Sequence, residues 1–296
     1  MASVSEKKLL KFRHSYHLVN PSPWPVFTSF ALLVFMFGNV LYMHSYLNGG
    51  LVLLLGVFLT IFSMSCWFRD VIREATFEGH HTQAVQLGLR YGMVLFIISE
   101  IFFFIAFFWG FFHSSLVPTI DLGASWPPYG IDILSPWQIP LLNTLFLLLS
   151  GCSVTWSHHA ILHGFRKEGL VSLGVTIFLA LIFTSLQVFE YINANFNISD
   201  SVYGSVFYLS TGFHGLHVIV GTIFLVVCLF RLYSHHFTQT HHFGFEAAAW
   251  YWHFVGATVR FYYLIFNCFG RFNARLGGVT QGVLGKQNPP LTSFYL

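Results

Sequence analysis

The sequence predicts an all-α, polytopic membrane protein of seven transmembrane helices. Two observations carry that expectation. The chain is 55% hydrophobic and only 8% charged, against about 25% charge in soluble domains, so too little charge is present to cover a water-facing surface. Apolar stretches of the roughly 20 residues needed to cross about 30 Å of hydrocarbon also recur along the whole length. No Pro-, Ser- or charge-rich linker interrupts them, so a single helical domain is expected.

In chain order the stretches fall at about 26–47, 50–74, 90–116, 138–162, 170–191, 202–231 and 245–269. The second and sixth carry glycines and small polar residues suited to helix packing. Residues 1–25 read as an N-terminal tail, 26–270 as the membrane domain and 271–296 as a polar C-terminal extension. The tail has no apolar core segment before its prolines, so it does not read as a cleavable secretory signal. Its single arginine, Arg13, and its acid, Glu6, argue against a transit peptide. The KKLLKF portion suits a membrane surface.

Lys and Arg set the orientation. Lys7, Lys8, Lys11 and Arg13 precede the first span, Arg69, Arg73 and Arg90 flank the second connection, and Arg166, Lys167 and Arg231 mark the fourth and sixth. The first, third and fifth connections carry no Lys or Arg, but Asp121, Asp132 and Asp200. Seven helices with the N-terminus on the negative side satisfy this alternation. Only Arg271, Arg275 and Lys286 would lie on the opposite face. A net charge of +3 is too small to imply a nucleic-acid partner.

Four cysteines, Cys66, Cys152, Cys228 and Cys268, stand apart. No CxxC or thiolate loop forms, so neither a disulfide framework nor a zinc-thiolate site is indicated, and they read as small core hydrophobes. Sixteen histidines raise a metal question. His80 and His81, then His158, His159 and His163, then His235, His236, His241 and His242 all fall on one side. Membrane di-iron hydroxylases and desaturases display histidine boxes in this way, which makes such a metalloenzyme the alternative reading. No HxxHH box is present, however. His214 and His217 are three apart on the sixth span, but a bis-imidazole haem needs partners at matched depth, and only His113 and His253 are candidates. Gly212 and Gly215 instead suggest close helix contact, with both imidazoles satisfied by neighbouring polar groups.

Glu100 is the one acid inside the run FIISEIFFFIAFFWGFF. A charged carboxylate at the bilayer centre costs roughly 2.5–3.5 kcal/mol on insertion scales. It therefore reads either as a proton path or ligand contact, or as a neutral acid bonded to a facing group in the helix packing. With Glu190 and the glycine-rich sixth helix it could line a transport path, but no repeat or broken helix accompanies it.

Ordered motifs name a family. NPSPWP at 20–25, RDVIRE at 69–74, EGHHT at 78–82, LRYGM at 89–93, HSSL at 113–116, WPP at 126–128, PLLNT at 140–144, ISDSVYGS at 198–205, TGFHGLHVIVG at 211–221 and HHFGFEAAAWYWHFV at 241–255 together resemble subunit III of the aa3-type cytochrome c oxidases in its mitochondrial form. The resemblance implies a two-helix and a five-helix bundle arranged as a V around a phospholipid-filled cleft. It implies a chain with no catalytic residue, redox centre or metal of its own. Haem a, haem a3 and copper would reside in partner subunits, and no HPEVY-like stretch or paired-cysteine copper loop occurs here. The implied partners are subunits I and II, accessory subunits and phospholipids, with cytochrome c meeting the complex. The implied location is the mitochondrial inner membrane, N-terminus in the matrix and C-terminus in the intermembrane space.

By the same resemblance Glu100 is the carboxyl of the cleft, a buried, protonated acid. Trp67, Arg73, Glu74 and His81 match lipid-binding positions, Arg231 and His236 match a second headgroup region, and Trp109 and His113 continue the cleft wall beyond Glu100. The pattern also departs in places. Phe68 follows Trp67 where the family usually has a second tryptophan. Gly256 stands in place of an acid, and Arg260 enters the last span.

Overall fold

The structure, a computed structural model, describes residues 14–269 of the chain, with side chains to residue 266. The cationic tail Lys7–Arg13, the side chain of Cys268 and the extension 271–296 with Arg271, Arg275 and Lys286 lie outside the described residues. Among the described residues seven α-helices run Trp24–Met43 (α1), Gly49–Thr76 (α2), Gln83–Leu116 (α3), Ile139–Leu162 (α4), Arg166–Ile192 (α5), Ser201–Tyr233 (α6) and Phe243–Tyr262 (α7). A 3₁₀ turn at Ile120–Leu122 follows α3, and a π-helical turn, Tyr263–Phe269, extends α7. No strand occurs among the described residues.

Among the described residues six helices, α1 to α6, are long and apolar enough to cross a membrane. The seventh expected span is a helix, but Glu246, His253 and Arg260 and its Trp and Tyr residues make it less apolar. The physical reason is position. Phe245, Ala248, Trp252 and Val255 of α7 belong to the main core cluster, so protein rather than lipid surrounds much of this helix.

The chain divides into two compact units, residues 1–92 and 93–296, with the division inside α3. In the first, α1 and α2 form a hairpin whose turn is closed by Ser45 and Asn48 at φ 57° and 63°. Glycine brings the two backbones together: a Cβ on Gly49 would meet the backbone of Leu41 and Tyr42 at 2.7 Å, and Gly38 and Gly56 press equally close to Leu53 and Phe35. The expected packing role of the second span is realised here. At the opposite end Trp24 Nε1–H donates to Asp70 Oδ2 at 2.6 Å, tying the start of α1 to the end of α2.

In the second unit α4 packs on α5, α5 on α6, and α7 on both α4 and α6. Small hydroxyl side chains stitch α4 to α5: Ser153 and Thr176 share a hydrogen bond of 2.8 Å, and Ser157 Oγ–H donates to the Gly169 carbonyl at 3.0 Å. Arg166 Nε–H donates to the Leu232 carbonyl at 3.0 Å, and its Nη2 reaches the Tyr233 carbonyl, capping the C-terminus of α6. Trp252, 1% exposed, donates to Ser150 Oγ at 2.9 Å and packs on Gly221. A second, aromatic cluster of Phe104, Phe111, Trp126, Tyr203, Phe207 and Phe266 holds α3, α6 and the end of α7. Cys228 is buried as a core residue, whereas Cys66 is half-buried and Cys152 lies on an outer face.

Candidate functional site

Glu100 sits near the middle of α3 and turns into the second unit. Its Oε2 lies 2.8 Å from His217 Nε2 on α6. The side chains keep only 20% and 12% of their exposure, and the imidazole is walled by Phe104, with ring centroids 5.0 Å apart, and by Tyr251 at 6.3 Å. The other ring nitrogen decides the protonation pattern. His217 Nδ1 lies 2.6 Å from the Phe213 carbonyl oxygen. A carbonyl can only accept, so Nδ1 carries hydrogen. One proton then remains between Nε2 and Oε2. It is held either as a carboxylic acid donating to neutral imidazole or as an imidazolium donating to carboxylate. Net charge is zero both ways, and the desolvation cost of a lone carboxylate is avoided.

His214 faces elsewhere. Its Nε2–H donates to the Val255 carbonyl of α7 at 3.1 Å, and its ring contacts Phe183 and Tyr262. Both imidazoles are satisfied by neighbouring polar groups, as expected. The expected close helix contact at Gly212 and Gly215 is corrected: nothing lies within 4 Å of a Cβ on Gly215, and only Tyr191 Oη comes to 4.0 Å of one on Gly212. The glycine of α6 that packs on a neighbouring helix is Gly221, whose Cβ would meet the Trp252 ring at 3.0 Å. Of the other two haem candidates, His113 is exposed and His253 pairs with Thr155 at 3.2 Å.

The remaining expected residues separate into three places. Trp67, Arg73 and Glu74 occupy the last turns of α2 and His81 the connection after it, all in the first unit. Arg73 is exposed, and the connection folds back on α2 through His80 N–H donating to the Glu74 carbonyl at 3.1 Å. The segment before α1 joins them: His17 stacks on His80 with centroids 4.6 Å apart, and Thr82 Oγ1–H donates to the Ser15 carbonyl. Arg231 and His236 stand at the end of α6. The Arg231 guanidinium lies 4.4 Å over the Phe237 ring, so it is turned inward rather than fully presented. Burial first, and then the Arg231 charge, hold the His236 imidazole below its usual range. Trp109 and His113 are exposed on α3. Nine residues of α-helix rotate through about 900°, which sets Trp109 on the face opposite Glu100.

Sequence reading passed over a half-open cavity of about 40 Å³ in the second unit, whose lining includes Asn143, Gln187, Glu190, Thr211 and Tyr262. Both amide atoms of Asn143 and the Tyr262 hydroxyl are buried there without a hydrogen-bonding partner among the described residues. Asn143 within PLLNT, an amide amid leucines, and Glu190 were the visible signals.

Against known proteins, the family described as Cytochrome c oxidase subunit III matches residues 14–271, which takes in all seven helices. The chain belongs to the cytochrome c oxidase subunit III family. Its relatives include cytochrome c oxidase subunit 3 of Prototheca wickerhamii, 60% identical over 87% of this chain and 98% of that one. The protein of the same name from Marchantia polymorpha is 60% identical over 86% of this chain and 93% of its own, and that of Arabidopsis thaliana 59% over 82% and 92%. A subunit III is by definition one component of an oxidase complex. The di-iron hydroxylase reading has no support beside this membership. The match ends at residue 271, where the polar extension begins.

Proposed function

We propose that the chain is the non-redox core subunit of a respiratory cytochrome c oxidase in the mitochondrial inner membrane. The complex couples oxidation of cytochrome c and reduction of oxygen to water with proton pumping. This chain stabilises the catalytic subunit I, binds structural phospholipids and supports proton uptake, while haem a, haem a3 and copper reside in subunits I and II. Residues 26–270 serve as its membrane domain, residues 1–25 as a matrix-side tail, and residues 271–296 as a cover for a neighbouring subunit. The carrying observation is the family match across every helix. Three features support the supporting role. The sequence has no paired-cysteine copper loop. The Glu100–His217 pair is closed on itself by the Phe213 carbonyl. Arg73 is exposed near the end of α2, the helix that also carries Trp67, with His81 in the following connection, which suits a phosphate headgroup.

The test is purification of the native assembly in mild detergent, with its metal content, optical spectrum, lipid content and subunits recorded together. Haem a and copper accompanying two larger partners is the expected result. A preparation in which the isolated chain carries iron would overturn the reading.

A further inference from the structure

At one end of the second unit the last turn of α4 meets the first turn of α7. Two imidazoles and a carboxylate gather there: one nitrogen each of His158 and His242 and one oxygen of Glu246 lie within 4.8 Å of one another. His242 immediately precedes α7 and Glu246 stands four residues on, so one helical turn stacks them. His242 Nε2 is 3.4 Å from Glu246 Oε1. His158 reaches across from α4, its ring edge-on to that of His242 with centroids 5.5 Å apart.

A hydrogen bond behind His242 fixes which nitrogen points inward. Its Nδ1 lies 2.9 Å from the Thr238 carbonyl oxygen. Nδ1 therefore bears the hydrogen, and Nε2 turns a lone pair toward the cluster. A backbone carbonyl behind the imidazole is the usual support of a metal-ligating histidine. The Nε2 atoms of His158 and His242 are both buried and make no hydrogen bond among the described residues. Converging lone pairs and a carboxylate repel one another unless a cation lies between them. A proton can bridge one pair of donors; a metal ion can take both imidazole nitrogens together with a carboxylate oxygen.

We propose that His158, His242 and Glu246 form a binding site for one divalent cation of the zinc class. Two imidazoles and a carboxylate are a donor set zinc accepts, with the fourth position left to water. Bonds of about 2.0–2.2 Å put tetrahedral donors roughly 3.3–3.6 Å apart. The His242–Glu246 pair already has that spacing, and a side-chain movement of about 1 Å by His158 closes the set. The ion staples the end of α4 to the start of α7. Zinc has no redox chemistry, so the site adds no electron carrier, and it shares no residue with the Glu100–His217 pair.

The test uses the whole oxidase complex, stripped with a chelator, exposed to a slight excess of zinc chloride, desalted, and assayed for zinc against haem iron. His242→Gln and Glu246→Gln are each expected to carry one zinc fewer per complex than the unaltered enzyme, while His241→Gln matches it. Equal zinc in the unaltered enzyme and both site variants would overturn the proposal. Should either substitution block assembly, the unaltered complex decides by anomalous scattering at the zinc edge. A peak between the three side chains supports the site, and its absence from zinc-loaded complex overturns it.

Discussion

At the scale of single residues, the pair on α3 and α6 makes the sharpest expectations. Glu100→Gln keeps the hydrogen bond, because the amide N–H can donate to the lone pair on His217 Nε2. An assembled oxidase with near-normal initial electron transfer is expected, and complete loss of activity in an assembled Glu100→Gln complex would refute a supporting role. Glu100→Leu leaves the imidazole nitrogen without its partner in a half-buried aromatic pocket, a loss of about 1–3 kcal/mol. Its thermal inactivation should come earlier than that of Glu100→Gln. His236 supplies a pH test. Burial and the Arg231 charge favour its neutral form in the fold. Its contribution to stability is therefore present above about pH 6.5, the unfolded value, and fades as pH falls below it. Carbethoxylation followed by mass spectrometry should report a midpoint below about 6.5 for His236, and Arg231→Gln should raise it. The presence of Glu100 in an apolar span was plain in the sequence. Its partner was not, because His217 lies 117 residues away and nothing in local spacing selects it over His214.

At the scale of helices, glycine decides which backbones can touch. Gly56→Val would drive side-chain carbons into the Phe35 backbone, which cannot yield as a side-chain tip can. Overpacking of this kind costs about 1–3 kcal/mol or more, so the α1–α2 hairpin should become protease-sensitive in the assembled complex. Gly221→Val meets the Trp252 and Tyr251 rings instead and should destabilise α6 against α7, read as a lower yield of assembled enzyme. Gly215→Ala, with open space around it, should do neither. Hydrophobic patterning located all seven helices, but their ends moved for identifiable reasons. The first helix stops at Met43 rather than near 47 because Ser45 and Asn48 take left-handed backbone angles. The third begins at Gln83 because its polar first turns continue the helix beyond the apolar segment. The last is the least apolar because neighbouring helices enclose it.

For the molecule as a whole, family membership and the number of helices were legible in composition and ordered motifs. The grouping of distant histidines was not. The same-side placement of His158 and His242 followed from Lys and Arg counting, yet only folding shows that these two, of eleven histidines on that side, meet beside Glu246. Exposed apolar side chains such as Phe58, Phe102 and Leu149 cover much of the surface, as lipid and partner subunits both require. Removing the cation at the end of α2 should reduce phospholipid retained by the purified complex: Arg73→Gln is expected to lose lipid phosphorus with haem content unchanged. The bond joining α3 to α6 also bears on biogenesis. A nascent chain delivers the acid to the bilayer long before the imidazole that will share its proton has been made, so early assembly must shelter an unmatched carboxyl, and only arrival of α6 retires that obligation.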